Sequence, residues 1–238
     1  MREEISTLKK WIEESRAIVF FGGAGVSTES GIPDFRSVDG LYSQKYDYPP
    51  ETILSRSFFL SRPEEFYKFF RDKVIIKGAD PNKAHLRLAE LEKEGRLKGI
   101  VTQNIDGLHQ KAGSVNVFEF HGSAERYFCM ACGKNYGADE IRSGAGTPRC
   151  GCGGLIRPDV VLYEEPIDEN VASGSVKLIR EADMLIVGGT SLVVYPAAGL
   201  INYYTGQRLV IINRDVTSFD SRANLVINEK IGEVFGQV

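Results

Sequence analysis

Continuous apolar runs alternate with amphipathic segments along most of this chain. Six stretches have the composition of strands: Ala17–Phe21, Gly99–Thr102, Val115–Phe120, Met184–Val187, Leu209–Ile212 and Leu225–Ile227. Four longer segments carry apolar residues at helical spacing: Glu3–Glu14, Glu64–Lys73, Asn82–Glu94 and Asp168–Glu181. Strands that alternate with helices predict an α/β fold built on a parallel sheet with right-handed crossovers.

Small or polar residues follow five of these strands at the point where each strand ends. They are Gly23, Gln103, His121, Gly189 and Asn213. Open α/β sheets bind ligands at the carboxyl ends of their strands. We therefore expect these five positions to converge on one ligand site, since five unrelated turns would not all need such residues.

The stretch from Gly22 to Thr28 has the order of a phosphate-binding turn. Glycines let the backbone approach a ligand, and a helix that begins there favours an anion. The dinucleotide fingerprint is incomplete, because Thr28 stands where a third glycine belongs. A plain tight turn is the alternative interpretation.

The second stretch, Gln103 to His109, carries an amide pair and the Asp106 carboxylate at the mouth of a strand. Asn-x-Asp-Gly is also ordinary turn chemistry, so this stretch has a structural interpretation as well. His121 stands between a strand and a glycine, which makes it a candidate general base.

Four cysteines lie close together in the sequence, at Cys129, Cys132, Cys150 and Cys152. Two pairs on glycine-flanked knuckles predict a tetrahedral zinc site of four thiolates. Few large apolar residues separate the pairs, so the metal is expected to substitute for a core. Disulfides are the alternative, disfavoured by a cytoplasmic location.

Composition limits the partners of the chain. With 238 residues and a net charge of -3, it has no basic footprint for nucleic acid or a membrane surface. No long uncharged apolar run predicts a transmembrane helix, and the N-terminal segment is amphipathic rather than a signal peptide. We expect a cytoplasmic monomer that contacts neither nucleic acid nor membrane.

Taken together, these motifs resemble the sirtuins, which are NAD-dependent protein lysine deacylases, and in particular the small bacterial members. The matching motifs are Gly23–Ser27, Gly31–Arg36, Thr102–Asp106, His121–Gly122, the four cysteines, Gly189–Ser191 and Pro196–Ala198. The resemblance implies one catalytic domain over residues 1–238. Its Rossmann-like large lobe would span about 1–36, 80–122 and 158–238, and its smaller lobe would join a helical module, 37–79, to a zinc-ribbon module, 123–157.

The resemblance also implies roles for individual residues. NAD would be consumed as a co-substrate and held by Gly23, Ala24, Thr28, Phe35, Arg36, Gln103, Asn104, Ile105, Asp106, His121, Gly189, Thr190, Ser191, Asn213 and Ile231. His121 and Asn104 would be catalytic, and the four cysteines would hold one structural zinc ion. An acetylated peptide would add as a strand against Val161, Leu162, Tyr163, Val193 and Val194.

The implied reaction transfers an acetyl group from lysine to ADP-ribose and releases nicotinamide and O-acetyl-ADP-ribose. Removal of other acyl groups and protein ADP-ribosylation are the alternatives within the family. Members that remove succinyl groups carry Tyr-x-x-Arg, whereas here Phe70 occupies the Arg position after Tyr67. We therefore expect an uncharged acyl group. An NAD-dependent oxidoreductase and a non-enzymatic zinc-ribbon module are the rival classes.

One position departs from the family pattern. The family usually has Phe-Gly-Glu where this chain has Tyr163, Glu164 and Glu165. A carboxylate in place of the glycine is expected to change the local peptide contacts and to favour basic residues near the target lysine.

Overall fold

The computed structural model describes residues 2–35, 40, 46–75 and 78–238. The strands are β1 Ile18–Gly22, β2 Leu97–Thr102, β3 Val117–Glu119, β4 Gly122–Cys129, β5 Asn135–Gly137, β6 Ile156–Val160, β7 Met184–Gly188, β8 Leu209–Ile212 and β9 Leu225–Ile227. The α-helices are α1 Arg2–Glu14, α2 Pro50–Ile53, α3 Arg56–Ser61, α4 Pro63–Phe69, α5 Lys83–Lys93, α6 Leu108–Lys111, α7 Ala138–Arg142, α8 Glu169–Arg180 and α9 Ile231–Phe235.

Six strands form the parallel sheet that the sequence predicts. Their order is β3-β2-β1-β7-β8-β9, and every neighbouring pair is parallel. Strands β1, β7 and β8 are buried along their whole length, which explains their continuous apolar runs. The chain passes from β1 to one half of the sheet and returns at β7 to build the other. The crevice for a ligand therefore lies between β1 and β7.

Helices cover both faces of this sheet. One apolar cluster joins Leu8 of α1, Leu88 of α5 and Phe235 of α9 to one face. Another joins Ile179 of α8 and a 3-10 helix, Ala197–Tyr203, to the opposite face. The sheet is thereby held rigidly by packing on two sides, so the ends of its strands form a fixed platform.

The helical module and the zinc-ribbon module of the smaller lobe share one hydrophobic core. Its three-stranded sheet, in the order β5-β4-β6, packs against the aromatic helices α3 and α4. Phe66 and Tyr67 share a buried cluster with Tyr127 and Ile141. The Tyr67 hydroxyl donates to the Ile156 carbonyl at 2.6 Å. The expectation that metal substitutes for a core around the cysteines therefore needs correction, because the few apolar residues there insert among the aromatic residues of the helices.

Some predicted elements are shorter than expected or differ in type. The helix after the first glycine turn is two single 3-10 turns, Ala24–Val26 and Thr28–Ser30, because Gly31 turns the chain left-handed at φ 83. Strand β3 begins two residues late, since the N–H groups of Val115 and Asn116 donate to the Glu92 carboxylate.

A further difference lies at the end of the helix predicted over Glu64–Lys73, which becomes a π-helical turn at Phe70–Val74. Strand β6 ends at Val160, so Val161–Tyr163 lie outside it.

The shared core of the smaller lobe makes a prediction about stability. Phe66 is fully buried, with its ring centroid 4.8 Å from that of Phe59 and 5.2 Å from that of Phe70. Phe66→Ala is expected to lower the free energy of unfolding by about 3–5 kcal/mol through lost burial and a cavity. Urea unfolding measures this, with Leu60→Ala on the half-exposed face of α3 as the control, expected within about 0.5 kcal/mol of wild type. Equal effects would contradict a shared core.

Candidate active site

A cavity of about 470 Å³ opens at the carboxyl ends of β1, β2, β7 and β8. All five positions that follow predicted strands line it, namely Gly23, Gln103, His121, Gly189 and Asn213. Val161–Glu165, which directly follow β6, form part of the opposite wall. The structure therefore brings the predicted strand-end residues together at the crevice between β1 and β7.

Two glycine turns touch each other at the floor of this cavity. The Gly25 N–H donates to the Gly189 carbonyl at 2.8 Å, and the Gly23 N–H donates to the Gly188 carbonyl at 3.2 Å. A Cβ on Gly25 would lie 2.8 Å from the Gly189 Cα, closer than packed atoms tolerate. The turns can meet only because Gly25 and Gly189 have no side chain at the point of contact.

A short polar network stands beside the turns. The Ser27 hydroxyl donates to Asp106 Oδ2 at 2.6 Å, and Asn104 Nδ2 donates to Ser27 Oγ at 3.0 Å. Burial raises the pKa of Asp106, while its bonds from Ser27 and from the Leu108 N–H oppose that rise. The network gives the cavity an orienting carboxyl group that is fixed by its neighbours.

The alternative turn interpretation of this stretch is also correct. Asp106 Oδ1 accepts the Leu108 N–H at 2.9 Å, and Gly107 has a left-handed φ of 70 at the start of α6. The same aspartate thus closes a local turn and lines the cavity. Turn chemistry and a ligand-facing position are combined here because the two carboxylate oxygens point to different partners.

His121 is held by the backbone in a defined orientation. Its Nδ1 lies 3.1 Å from the Gln103 carbonyl, which can only accept a hydrogen bond, so Nδ1 carries the proton in the neutral ring. Nε2 is then the basic nitrogen. Burial lowers the pKa of His121, and the bond to Gln103 partly opposes this. The imidazole is therefore neutral at neutral pH and able to accept a proton.

Most other predicted site residues also line the cavity. They are Ala24, Phe35, Asn104, Ile105, Asp106, Thr190, Ser191, Val161, Leu162, Tyr163 and Val194. Thr28, Val193 and Ile231 do not line it. Arg36 lies outside the described residues. The predicted binding roles of these four residues, like those of the residues that line the cavity, stay predictions.

Local packing explains two of these placements. The Thr28 hydroxyl donates to the Gly25 carbonyl at 3.0 Å and so supports the glycine turn from behind. Ile231 begins α9 and is 3% exposed, packed in the core against Gly188. Val193 is by contrast 55% exposed beside the cavity-lining Val194.

Several cavity residues were not singled out from the sequence. Ser27 lies in a motif that was recognised, yet its link between Asn104 and Asp106 depends on a contact across the fold. Arg214–Val216 directly follow Asn213, so their position after a strand was an available signal. Leu54 comes from the smaller lobe, and no local pattern distinguishes it from the core of that lobe.

The four cysteine Sγ atoms form a compact cluster away from this cavity. They lie within 4.8 Å of one another, with Cys129 to Cys152 at 3.5 Å and Cys132 to Cys150 at 3.6 Å. A disulfide needs about 2.05 Å, whereas a tetrahedral zinc with four thiolates separates its sulfurs by roughly 3.8 Å. The donor set and spacing fit one zinc ion and exclude disulfides in this arrangement.

Comparison with known proteins agrees with this architecture. The model of the Sir2 family matches residues 23–196. The chain belongs to the Sir2 family. It is 57% identical to the NAD-dependent protein deacetylase of Clostridium acetobutylicum over 99% of this sirtuin and 98% of that protein. It is 44% identical to the protein of the same name from Staphylococcus aureus, over 98% and 97% of the two chains.

Solved structures give the same result. This sirtuin superposes with a TM-score of 0.87 and 40% identity on a structure described as Sir2, p53 peptide and NAD+, over 98% and 96% of the two chains. A structure of Sir2 bound to acetylated peptide gives a TM-score of 0.86 and 39% identity over the same shares. The fold of the chain is thereby that of the sirtuins.

The cysteine cluster predicts that the isolated protein binds about one zinc ion per chain. Cys150→Ser removes one thiolate, so we expect loss of most of the bound zinc and a lower thermal midpoint. Zinc is measured with a chromophoric chelator after unfolding. Lys134→Ser, beside the cluster without a ligand atom, is the control. Full zinc content in the Cys150 variant would contradict the four-thiolate site.

Proposed function

We propose that this chain is an NAD-dependent protein lysine deacetylase that releases nicotinamide and O-acetyl-ADP-ribose. The observation that carries the proposal is His121, whose basic Nε2 belongs to a neutral ring in the same cavity as the paired glycine turns and the Asp106 network. The relatives named NAD-dependent protein deacetylase support it at up to 57% identity over nearly the whole chain.

The residues of the cavity have complementary tasks in this reaction. NAD supplies an activated ribose carbon from which nicotinamide leaves. The glycine turns at Gly23 and Gly189 would lie against its pyrophosphate, where a side chain would collide. Asp106, oriented by Ser27, would accept a hydrogen bond from the carboxamide, and a fixed carboxyl group selects that orientation.

The basic group and the peptide come from neighbouring parts of the wall. His121 would take a proton from a ribose hydroxyl at Nε2, and the Gln103 carbonyl keeps the ring in the required tautomer. Val161–Tyr163 and Val194 line the cavity on the side where the acylated lysine would enter. Phe35 lines the cavity as well and would exclude water from the reacting carbon.

The described acyl-pocket residues favour an uncharged acyl group. Tyr67 is fully buried with its hydroxyl on the Ile156 carbonyl, whereas Phe70 lines the cavity. The pair that binds acyl carboxylates in succinyl-removing sirtuins is therefore split as well as lacking its arginine. Lys73 also lines the cavity, and its ammonium lies 3.2 Å from Asp72.

The proposal also includes the cellular location of the protein and its oligomeric state. No helix of the described residues is long and apolar enough to cross a membrane. We propose a cytoplasmic monomer that acts on acetylated proteins. Size-exclusion chromatography with light scattering tests the monomer, and a stable dimer would contradict it.

His121 makes a prediction about pH. Because its pKa is lowered from 6.5, the neutral base persists below pH 6.5, and kcat/KM for an acetyl-lysine peptide should fall only as the pH drops further. His121→Ala should lose about 100-fold or more in kcat/KM. Nicotinamide release against pH measures both. Equal turnover by the variant would remove His121 from the mechanism.

Acyl selectivity makes a second prediction. A succinyl group would bury a carboxylate where Phe70 stands at the position of the arginine of succinyl-removing sirtuins, so its kcat/KM should be about 100-fold or more below that of an acetyl group. A propionyl peptide adds only one methylene and should stay within about 10-fold. Matched peptides and mass spectrometry measure all three. A succinyl preference would contradict the proposal, and ADP-ribose on the protein product would indicate the transferase alternative.

A further inference from the structure

The residue that departs from the family pattern, Glu164, occupies a strained position. It has a left-handed φ of 76, a value that only one other non-glycine among the described residues approaches, Leu192 at 55. The Glu165 N–H donates to the Leu162 carbonyl at 3.1 Å, which makes Glu164 the third residue of a four-residue turn. A φ near +80 at that position is the value of a type II turn, where glycine is normal. An L side chain there is strained unless other contacts hold it.

Two contacts of the Glu164 carboxylate supply that compensation. Oε2 accepts the Ser57 N–H at 2.9 Å, and Oε1 accepts the Ser57 hydroxyl at 2.8 Å. Ser57 lies in the first turn of α3, where backbone N–H groups have no acceptor within the helix. Both oxygens are thus engaged with the helical part of the smaller lobe. The carboxylate therefore has partners within the protein, and the expectation that it meets basic residues of a substrate stays a prediction.

The same turn ends a segment that is fixed at both ends. At its start, the Val161 N–H donates to the carbonyl of His121 at 3.0 Å. At its finish, the Tyr163 N–H donates to the Leu54 carbonyl and the Tyr163 carbonyl accepts the Arg56 N–H, each at 3.0 Å. The bond between the Glu164 carboxylate and the Ser57 N–H adds one more contact next to these backbone hydrogen bonds. The segment therefore links the backbone of the proposed base to the start of α3.

The backbone of Glu164 has hydrogen-bonding groups that the described residues leave unused. Glu164 lines the cavity, and no described residue bonds to its N–H or carbonyl. These are the groups that an added strand uses for pairing. Holding the side chain on Ser57 fixes where these backbone groups point.

We propose that Glu164 is a positioning residue for the acylated peptide, which it serves by clamping the Val161–Tyr163 segment to Ser57 of α3. This role rests on the proposed deacetylase function. The clamp adds a connection between the peptide-binding edge and helix α3 of the smaller lobe. A strained residue is retained because its side chain makes that connection.

The test compares Glu164→Gly, Glu164→Gln and Ser57→Ala with wild type. In Glu164→Gly the peptide KM should rise about fivefold or more, while kcat and the NAD KM stay within about twofold. Ser57→Ala keeps the backbone donor and should give a smaller rise in the same direction. Glu51→Gln, an exposed carboxylate change in the same lobe, is the control and should match wild type.

Two peptide substrates separate the clamp from simple charge attraction. For a clamp, Glu164→Gln raises the KM of peptides with basic and with neutral flanks equally, because an amide oxygen accepts only one of the two bonds well. An effect confined to basic flanks, with Ser57→Ala at the wild-type value, would overturn the clamp. An unchanged peptide KM in Glu164→Gly would overturn it as well.

Amide hydrogen exchange tests the clamp without requiring that the protein be active. Glu164→Gly and Ser57→Ala should speed amide exchange in residues 54–57 and 161–165, and Glu51→Gln should not. Unchanged exchange in both variants would reject the clamp even if the enzyme is active. A wild-type protein that releases no nicotinamide would reject the deacetylase proposal, and exchange would still decide on the clamp.

Discussion

The contact between two glycine turns is the constraint on which the rest of the site depends. Gly23–Gly25 and Gly188–Gly189 follow neighbouring strands, and they bond to each other through backbone groups at 2.8 and 3.2 Å. A methyl group at Gly25 would collide with the backbone opposite. The cavity floor is therefore backbone rather than side chain. The buried sheet beneath holds it in place, so the polar groups that follow the other strands meet at a fixed distance above it.

Different parts of the chain hold different groups of the site in place. The large lobe fixes Asp106 through Ser27 and fixes His121 through the Gln103 carbonyl, so the reacting groups are held by short bonds to rigid strand ends. The segment Val161–Tyr163, which follows β6, is tied at one end to His121 and at the other to α3. Under the proposed function, one short stretch of backbone would therefore connect the group that takes the proton to the edge that binds the peptide, and Glu164 stands at its end.

Local signals in the sequence predicted the fold class and five strand-end positions of the site, whereas the family resemblance supplied the other predicted residues. Apolar runs with polar residues at their ends identified β1, β2, β7 and β8 and the groups that follow them. The cysteine spacing identified a cluster that the Sγ distances support. The sequence did not predict the shared core of the smaller lobe, because Tyr127 and Ile141 meet Phe66 only after distant segments pack together. It also extended β3 by two residues whose N–H groups bond to Glu92 instead of the sheet.

By itself, the sequence determined a parallel sheet, a ligand site at the carboxyl ends of its strands and a cluster of four thiolates. Hydrophobic periodicity and cysteine spacing are local properties, so they can be read from the order of the residues alone. The tertiary structure decided the directions of side chains. It placed Tyr67 and Phe70 together in one buried core, where of the two only Phe70 also lines the cavity, and it placed Ile231 behind Gly188. It directed the Glu164 carboxylate to Ser57 rather than to solvent. Such directions depend on partners that are distant in the chain, as for Glu164, whose sequence separation from Ser57 is 107.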